Sequence, residues 1–249
     1  MLTTAQRLDE LRSWIEGTTH VYIDYANVRA KCEKKHWTLD LLKTYNVLRG
    51  LGTVPSIKIY FGTIVGNRSS EGFVALLRRI QYEVITKPVK FINLSIDVSG
   101  IPKDSPDIVR NFIEPCLLRK LNVEAIEYLN GHLRALNGLR MLSIEMMKCN
   151  FDVEIATDML LDNELRSVET FCLWTGDSDF ASPISRLLDA QKRVIVISDG
   201  VAPELDSLRP DGLRIYDLKK LKDIVGVEKQ RGLPLESPPA QIVGPCGLS

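Results

Sequence analysis

The sequence predicts an α/β protein, a parallel sheet with helices on both faces. Strand-like apolar runs alternate with stretches of helical spacing from residue 20 to residue 92, and the alternation resumes from 152 to 218. Alternation of this kind builds parallel strands joined by crossover helices. Acidic residues stand at the ends of two of the runs, where open parallel sheets bind their ligands.

Residues 4–16 carry Leu8, Leu11 and Ile15 at helical spacing and predict a short helix within an N-terminal segment, 1–17. "HVYIDY" (20–25) is compact, β-branched and aromatic, the composition of a buried strand. "TLDLLKTYNVLRGLG" has helical spacing and stops at Gly50 and Gly52. "SIKIYFG" (56–62) alternates with period two and predicts the next strand. "SSEGFVALLRRIQY" opens on serines and a glutamate that suit a helix cap, and "YEVITKPVKFI" returns to strand character. "NLSIDVSGIPKDSPD" reads as a loop, and residues 106–150 as mostly helical with Pro115 interrupting. Then "DVEIATDMLLDNELR" (152–166) predicts a helix, "TFCLWTG" (170–176) a strand, "DFASPISRLLDAQ" a helix and "RVIVIS" (193–198) a strand. "PELDSL" is a short helix, "LRIYDL" (213–218) a short strand, and "KKLKDIVG" a last turn or two. Residues 18–226 therefore read as one domain with a helical insertion at about 91–147. Residues 227–249 are proline-rich and aperiodic and predict a disordered tail.

A chain of 249 residues can bury a sizeable core. Lys+Arg and Asp+Glu are both 32, so no global basic field announces a nucleic-acid partner, and any such site is a local patch. The five cysteines are scattered without zinc spacing, which predicts reduced thiols and a cytoplasmic protein. The amphipathic, charged N-terminus does not read as a signal peptide, and no apolar run is long enough to span a bilayer.

Asp24 ends the first strand, Asp152 and Asp158 bracket a helix, and Asp177 and Asp179 follow the strand "TFCLWTG". Each alone has a bland explanation as a helix cap, a turn residue or a solvated helix residue. Together they predict converging carboxylates if the two strands are neighbours. Clustered carboxylates repel and stay ionised together only beside a cation. Oxygen-only donors select hard ions, Mg²⁺ or Mn²⁺, the usual companions of phosphate substrates.

"VYIDYANV", "FDVEIATDMLL" and "LWTGDSDFASPISRLLDAQKRVIVIS", in that order, resemble the NYN domain, in the LabA-like branch of the PIN-like nuclease superfamily. The third motif is the most specific. The resemblance implies a PIN-like three-layer α/β/α sandwich and an Mg²⁺- or Mn²⁺-dependent ribonuclease site. It implies Asp24, Asp158, Asp177 and Asp179 as catalytic residues and metal ligands, with Asn27 orienting a water or a carboxylate. It implies Asp152 and Thr175 as supporting residues. The family's lysine stands closer to its "VD" pair; here "CNF" separates Lys148 from Asp152.

"NVRAKCEKKHW" places Arg29, Lys31, Lys34 and Lys35 just after the first strand, followed by Trp37. Phosphate contacts with base stacking on Trp37 are one reading, and a solvated loop is the other. RNA is the expected partner. The insertion is expected to pack on the core, or on a second copy of the chain as a homodimer. Two further functions compete: a binding module of the same fold without catalysis, and a haloacid-dehalogenase-like phosphatase. The latter needs an acid two residues after Asp24, where Ala26 stands.

Overall fold

The computed structural model describes residues 3–95, 121–128, 131 and 143–228. They fall into two compact units, one within 1–89 and 149–235 and one within 90–148. In chain order the elements begin α1 (Thr4–Arg12), β1 (Thr19–Asp24), α2 (Tyr25–Glu33), β2 (Trp37–Leu39), α3 (Leu41–Arg49) and β3 (Ser56–Thr63). Then come α4 (Arg68–Ile80), β4 (Glu83–Pro88), β5 (Lys90–Ser95), β6 (Ser143–Lys148) and α5 (Asp152–Leu165). After β7 (Thr170–Trp174) a 3-10 turn (Ser178–Phe180) leads into α6 (Ala181–Asp189), β8 (Arg193–Ser198) and α7 (Pro203–Asp206). The described chain closes with β9 (Arg214–Asp217), a second 3-10 turn (Leu218–Leu221), α8 (Lys222–Val225) and β10 (Gly226–Glu228).

The first unit is built on a six-stranded sheet in the order β4-β3-β1-β7-β8-β9, and every neighbouring pair is parallel. Strand parity sorts its side chains onto two faces. Val21, Ile23, Ile57, Ile59, Cys172 and Trp174 pack with Val28 and Cys32 of α2, Leu48 of α3 and Leu77 of α4. Tyr22, Tyr60, Phe171, Leu173, Val194 and Val196 pack on the other side with Ile155 and Met159 of α5 and Ile184 and Leu187 of α6. The result is a three-layer α/β/α sandwich, as expected. Full burial of each large apolar side chain contributes roughly 1.5–3 kcal/mol, so both faces carry the fold.

Chain order runs outward from β1 to β3 and β4, then returns to β7 on the opposite side of β1. The β1–β7 seam is therefore the topological switch point, with Ile23 opposite Trp174 at its carboxyl end. In the second unit, β5 and β6 pair antiparallel from Lys90↔Lys148 to Ser95↔Ser143. Residues 123–128 are helical, with the Asn122 side chain accepting from Ala125 N.

Some expectations shift. The helix expected to open on Ser69 and Ser70 is capped by Asn67, whose side chain accepts from Ser70 N at 3.0 Å. Residues 143–148, expected within a mostly helical stretch, form a strand. The rest of that stretch lies largely outside the described residues. "NVRAKCEKKHW" is no loop: it completes α2 and enters β2. Trp37 is 1% exposed in the core, which rules out base stacking on its ring. Gly226–Glu228 pair with Trp37–Leu39, and residues 229–249 lie outside the described residues. None of the described helices is long and apolar enough to cross a membrane.

Candidate active site

The site grows from the carboxyl ends of β1 and β7. Asp24 ends β1 at 9% exposure and caps α2: its Oδ1 accepts from Asn27 N at 3.2 Å. Its Oδ2 accepts from the buried Thr175 hydroxyl at 3.5 Å. Asp177 N donates to the same hydroxyl at 3.4 Å, and Asp177 Oδ1 accepts from Asp179 N at 3.2 Å. Thr175 thus ties the ends of the two strands together. Capping is real for both Asp24 and Asp177. It does not account for a second, exposed acid at Asp179, or for the burial of Asp24.

Asp152 opens α5 and joins this group. Its carboxyl lies in hydrogen-bonding reach of Asp179 and in the field of Asp177, and it also acts on Asp24. Burial first, then Asp152 and Asp177, push the Asp24 carboxyl up to about 6. Burial, then Asp177 and Asp179, also raise Asp152. Both groups feel burial and the like charge of neighbouring carboxylates in the same direction.

Asp158, expected among the ligands, points elsewhere. It accepts from Tyr60 OH at 2.7 Å and stands 3.5 Å from Lys58 Nζ. One turn on, Asp162 Oδ2 accepts from His20 Nδ1 at 2.8 Å, from Tyr22 OH at 2.8 Å and from Lys58 Nζ at 2.9 Å. Burial alone would raise the Asp162 carboxyl, but His20, Lys58 and Tyr22 outweigh it and hold it low. The physical reason for the exchange is helix phase. At 100° per residue, six positions put Asp158 well round the helix from Asp152. Asp158 meets Tyr60 and Lys58 of β3, and Asp152, at the helix start, meets Asp179 and Asp177 beyond the end of β7.

Of the expected phosphate-binding residues, Arg29 pairs with Glu33 at 2.8 Å. Lys34 and Lys35 are exposed. Lys31 donates to Ser198 Oγ at 2.8 Å and Gly200 O at 2.9 Å, within the fields of Asp177 and Asp24. Gly176 makes room for it: a Cβ there would collide with Lys31 Nζ, Ser198 Oγ and Gly200 O. Asp199 stands directly after "RVIVIS", and that strand-end position, the same as that of Asp24, is its signal in the sequence. Lys219, which pairs with it at 2.9 Å, has no sequence signal at all.

The donor set suits a hard divalent cation: four carboxylates, and Asn27 Oδ1, buried with no hydrogen-bond partner among the described residues. Among the described residues, no group of three or more His, Cys, Asp or Glu is gathered tightly enough to hold a metal ion as it stands.

The NYN domain model matches residues 122–209. The match supports the NYN family over that stretch, less than half of the chain. It covers Asp152, Asp158, Asp177 and Asp179 and leaves Asp24 and Asn27 outside. Among solved structures, the chain is similar to a protein of unknown function from Vibrio parahaemolyticus at 17% identity and a TM-score of 0.48, covering 82% of this chain and 96% of that one. No curated protein matches the chain.

Proposed function

We propose that the protein is a metal-dependent ribonuclease of the LabA-like NYN type, with Asp24, Asp152, Asp177 and Asp179 holding Mg²⁺ or Mn²⁺. The observation that carries the reading is the crowding of these acids at the β1–β7 switch point, with Asp24 buried there and raised to about 6. When bound, the ion would supply Lewis acidity and offset the charge that develops at phosphorus. The chain's own residues would do the rest. Thr175 holds Asp24 in place, and Asn27, whose backbone N–H donates to Asp24, carries a buried side-chain oxygen with no hydrogen-bond partner among the described residues. Lys31 brings a cation to the rim of the site.

The nucleophile is a water in this reading. His20 is 3% exposed against Asp162, His36 is an exposed turn residue, and His132 lies outside the described residues. A nucleophilic side chain with a histidine base therefore has no support among the described residues. Water attack in line would leave 5′-phosphate and 3′-hydroxyl ends without using the 2′-hydroxyl.

The test is cleavage of single-stranded RNA by the purified chain. Activity should vanish in EDTA, return with Mn²⁺, and fall at least about 100-fold in Asp177→Asn. Cleavage that persists in EDTA, or 2′,3′-cyclic phosphate ends, would overturn the mechanism. RNA binding without cleavage by folded, Mn²⁺-binding protein would leave an RNA-binding module.

A further inference from the structure

Beside the acids, along the same edge of the sheet, lies a second charged group of opposite sign. Asp199 follows β8 with its side chain only 8% exposed, and Lys35 and Lys219 both pair with it. Burial alone would raise the Asp199 carboxyl, but the two lysines outweigh burial and hold it low. Lys31 lies in the field of Asp199 on one side and of Asp177 and Asp24 on the other, with Lys34 close enough to repel it. The group draws on α2, the chain after β8 and the 3-10 turn after β9. Asp199 and Asp217, which caps the turn that carries Lys219, face these lysines on one side, and Asp177 and Asp24 face Lys31 on the other.

We infer that Lys31, Lys35 and Lys219, gathered around Asp199, form a track that binds the phosphodiester backbone of single-stranded RNA and leads it to the carboxylates. Each ammonium has three donors. Lys35 and Lys219 are 41% and 55% exposed, so their remaining donors face water while Asp199 anchors them from below. Lys31 spends two donors on neutral acceptors, so its charge is not cancelled by a direct ion pair. Gly176 is the device that lets this ammonium lie against the chain between the acids and the track. A backbone laid along β9, β8 and β7 would meet cations first and acids last. Cations also relieve the repulsion that carboxylates alone would exert on a phosphate.

The inference takes its substrate class from the ribonuclease reading, and its test separates the two. Binding of a fluorescent single-stranded RNA is measured in EDTA across a salt series, so no cleavage is needed. Lys31→Gln and Lys219→Gln should each lower the salt slope by about 0.7 and weaken binding about fivefold to tenfold at ~0.05 M salt. Neither should unfold the chain: Lys219 is surface-exposed, and Ser198 Oγ still donates to Gly200 O at 2.7 Å without Lys31. Arg193→Gln, at the opposite end of β8 and paired with Glu16, should leave the slope unchanged. Unchanged slopes in both lysine variants would overturn the track, even if Mn²⁺-dependent cleavage is intact. Lost slopes with no cleavage by any variant would uphold the track and sink the nuclease.

Discussion

Asp24 carries two duties that pull against each other. As a cap it helps α2, and as a buried anion beside Asp152 and Asp177 it costs the fold. Its carboxyl binds its proton more tightly folded than unfolded, so the folded chain gains relative stability at low pH. That gain is complete below about pH 3.8 and is lost as pH rises through about 6. Asp24→Asn keeps a good capping residue and removes the charge. Melting in EDTA should therefore show the variant stabilised at pH 8, by at most about 3 kcal/mol, and close to unchanged at pH 4. A shift equal at both pH values would refute the electrostatic cost. Trp37 teaches the opposite lesson about single residues. A tryptophan after a run of lysines reads as a stacking platform, but three residues of β2 turn it into the core. Composition shows that the side chain is large and flat and leaves its direction open.

Helix α5 lays its acids along the sheet from end to end. Asp152 meets the strand ends, Asp158 meets Tyr60, and Asp162 meets Lys58, Tyr22 and His20. The lower part is a buried ionic network with Arg166 at its rim, 3.1 Å from Asp162. Breaking such a network from one side strands a buried charge and costs about 3–5 kcal/mol, whereas replacing both partners with apolar groups is close to neutral. Asp162→Asn should lower urea stability by about that amount, and Lys58→Met/Asp162→Leu should recover most of it. Equal losses in the single and double variants would show that Lys58 does not depend on Asp162. The strand "SIKIYFG" is legible as a strand because it alternates. Its polar positions read as solvent-facing, but Lys58 is 7% exposed because α5 covers that face. The pairing spans 104 residues of sequence, and no local pattern encodes it.

The first unit holds the parallel sheet and both hydrophobic clusters, so it has what a domain needs to fold by itself. Ser95 and Ser143 stand opposite each other at the end of the β5–β6 ladder. Replacing residues 96–142 by Asn-Gly would close that ladder as a tight hairpin. The shortened chain should stay folded, with a single cooperative melt within about 5 °C of the full chain. Loss of cooperative melting would make the insertion part of the folding unit. The α/β/α sandwich was legible because βαβ alternation, crossover rules and strand-end acids agree, whereas β2 and β6 were not. That Asp152, and not Asp158, lies beside Asp177 and Asp179 was not legible either, because it depends on helix phase against a sheet. The seam at β1 and β7 has one more consequence. The strands on one side of it, β4, β3 and β1, all come from residues 19–88, and those on the other side from residues 170–217. During synthesis the first half can emerge and pair with itself while Asp24 faces nothing. The acidic cluster comes into being only when Asp177 and Asp179 have left the ribosome, so a nascent chain stays without it for most of its length.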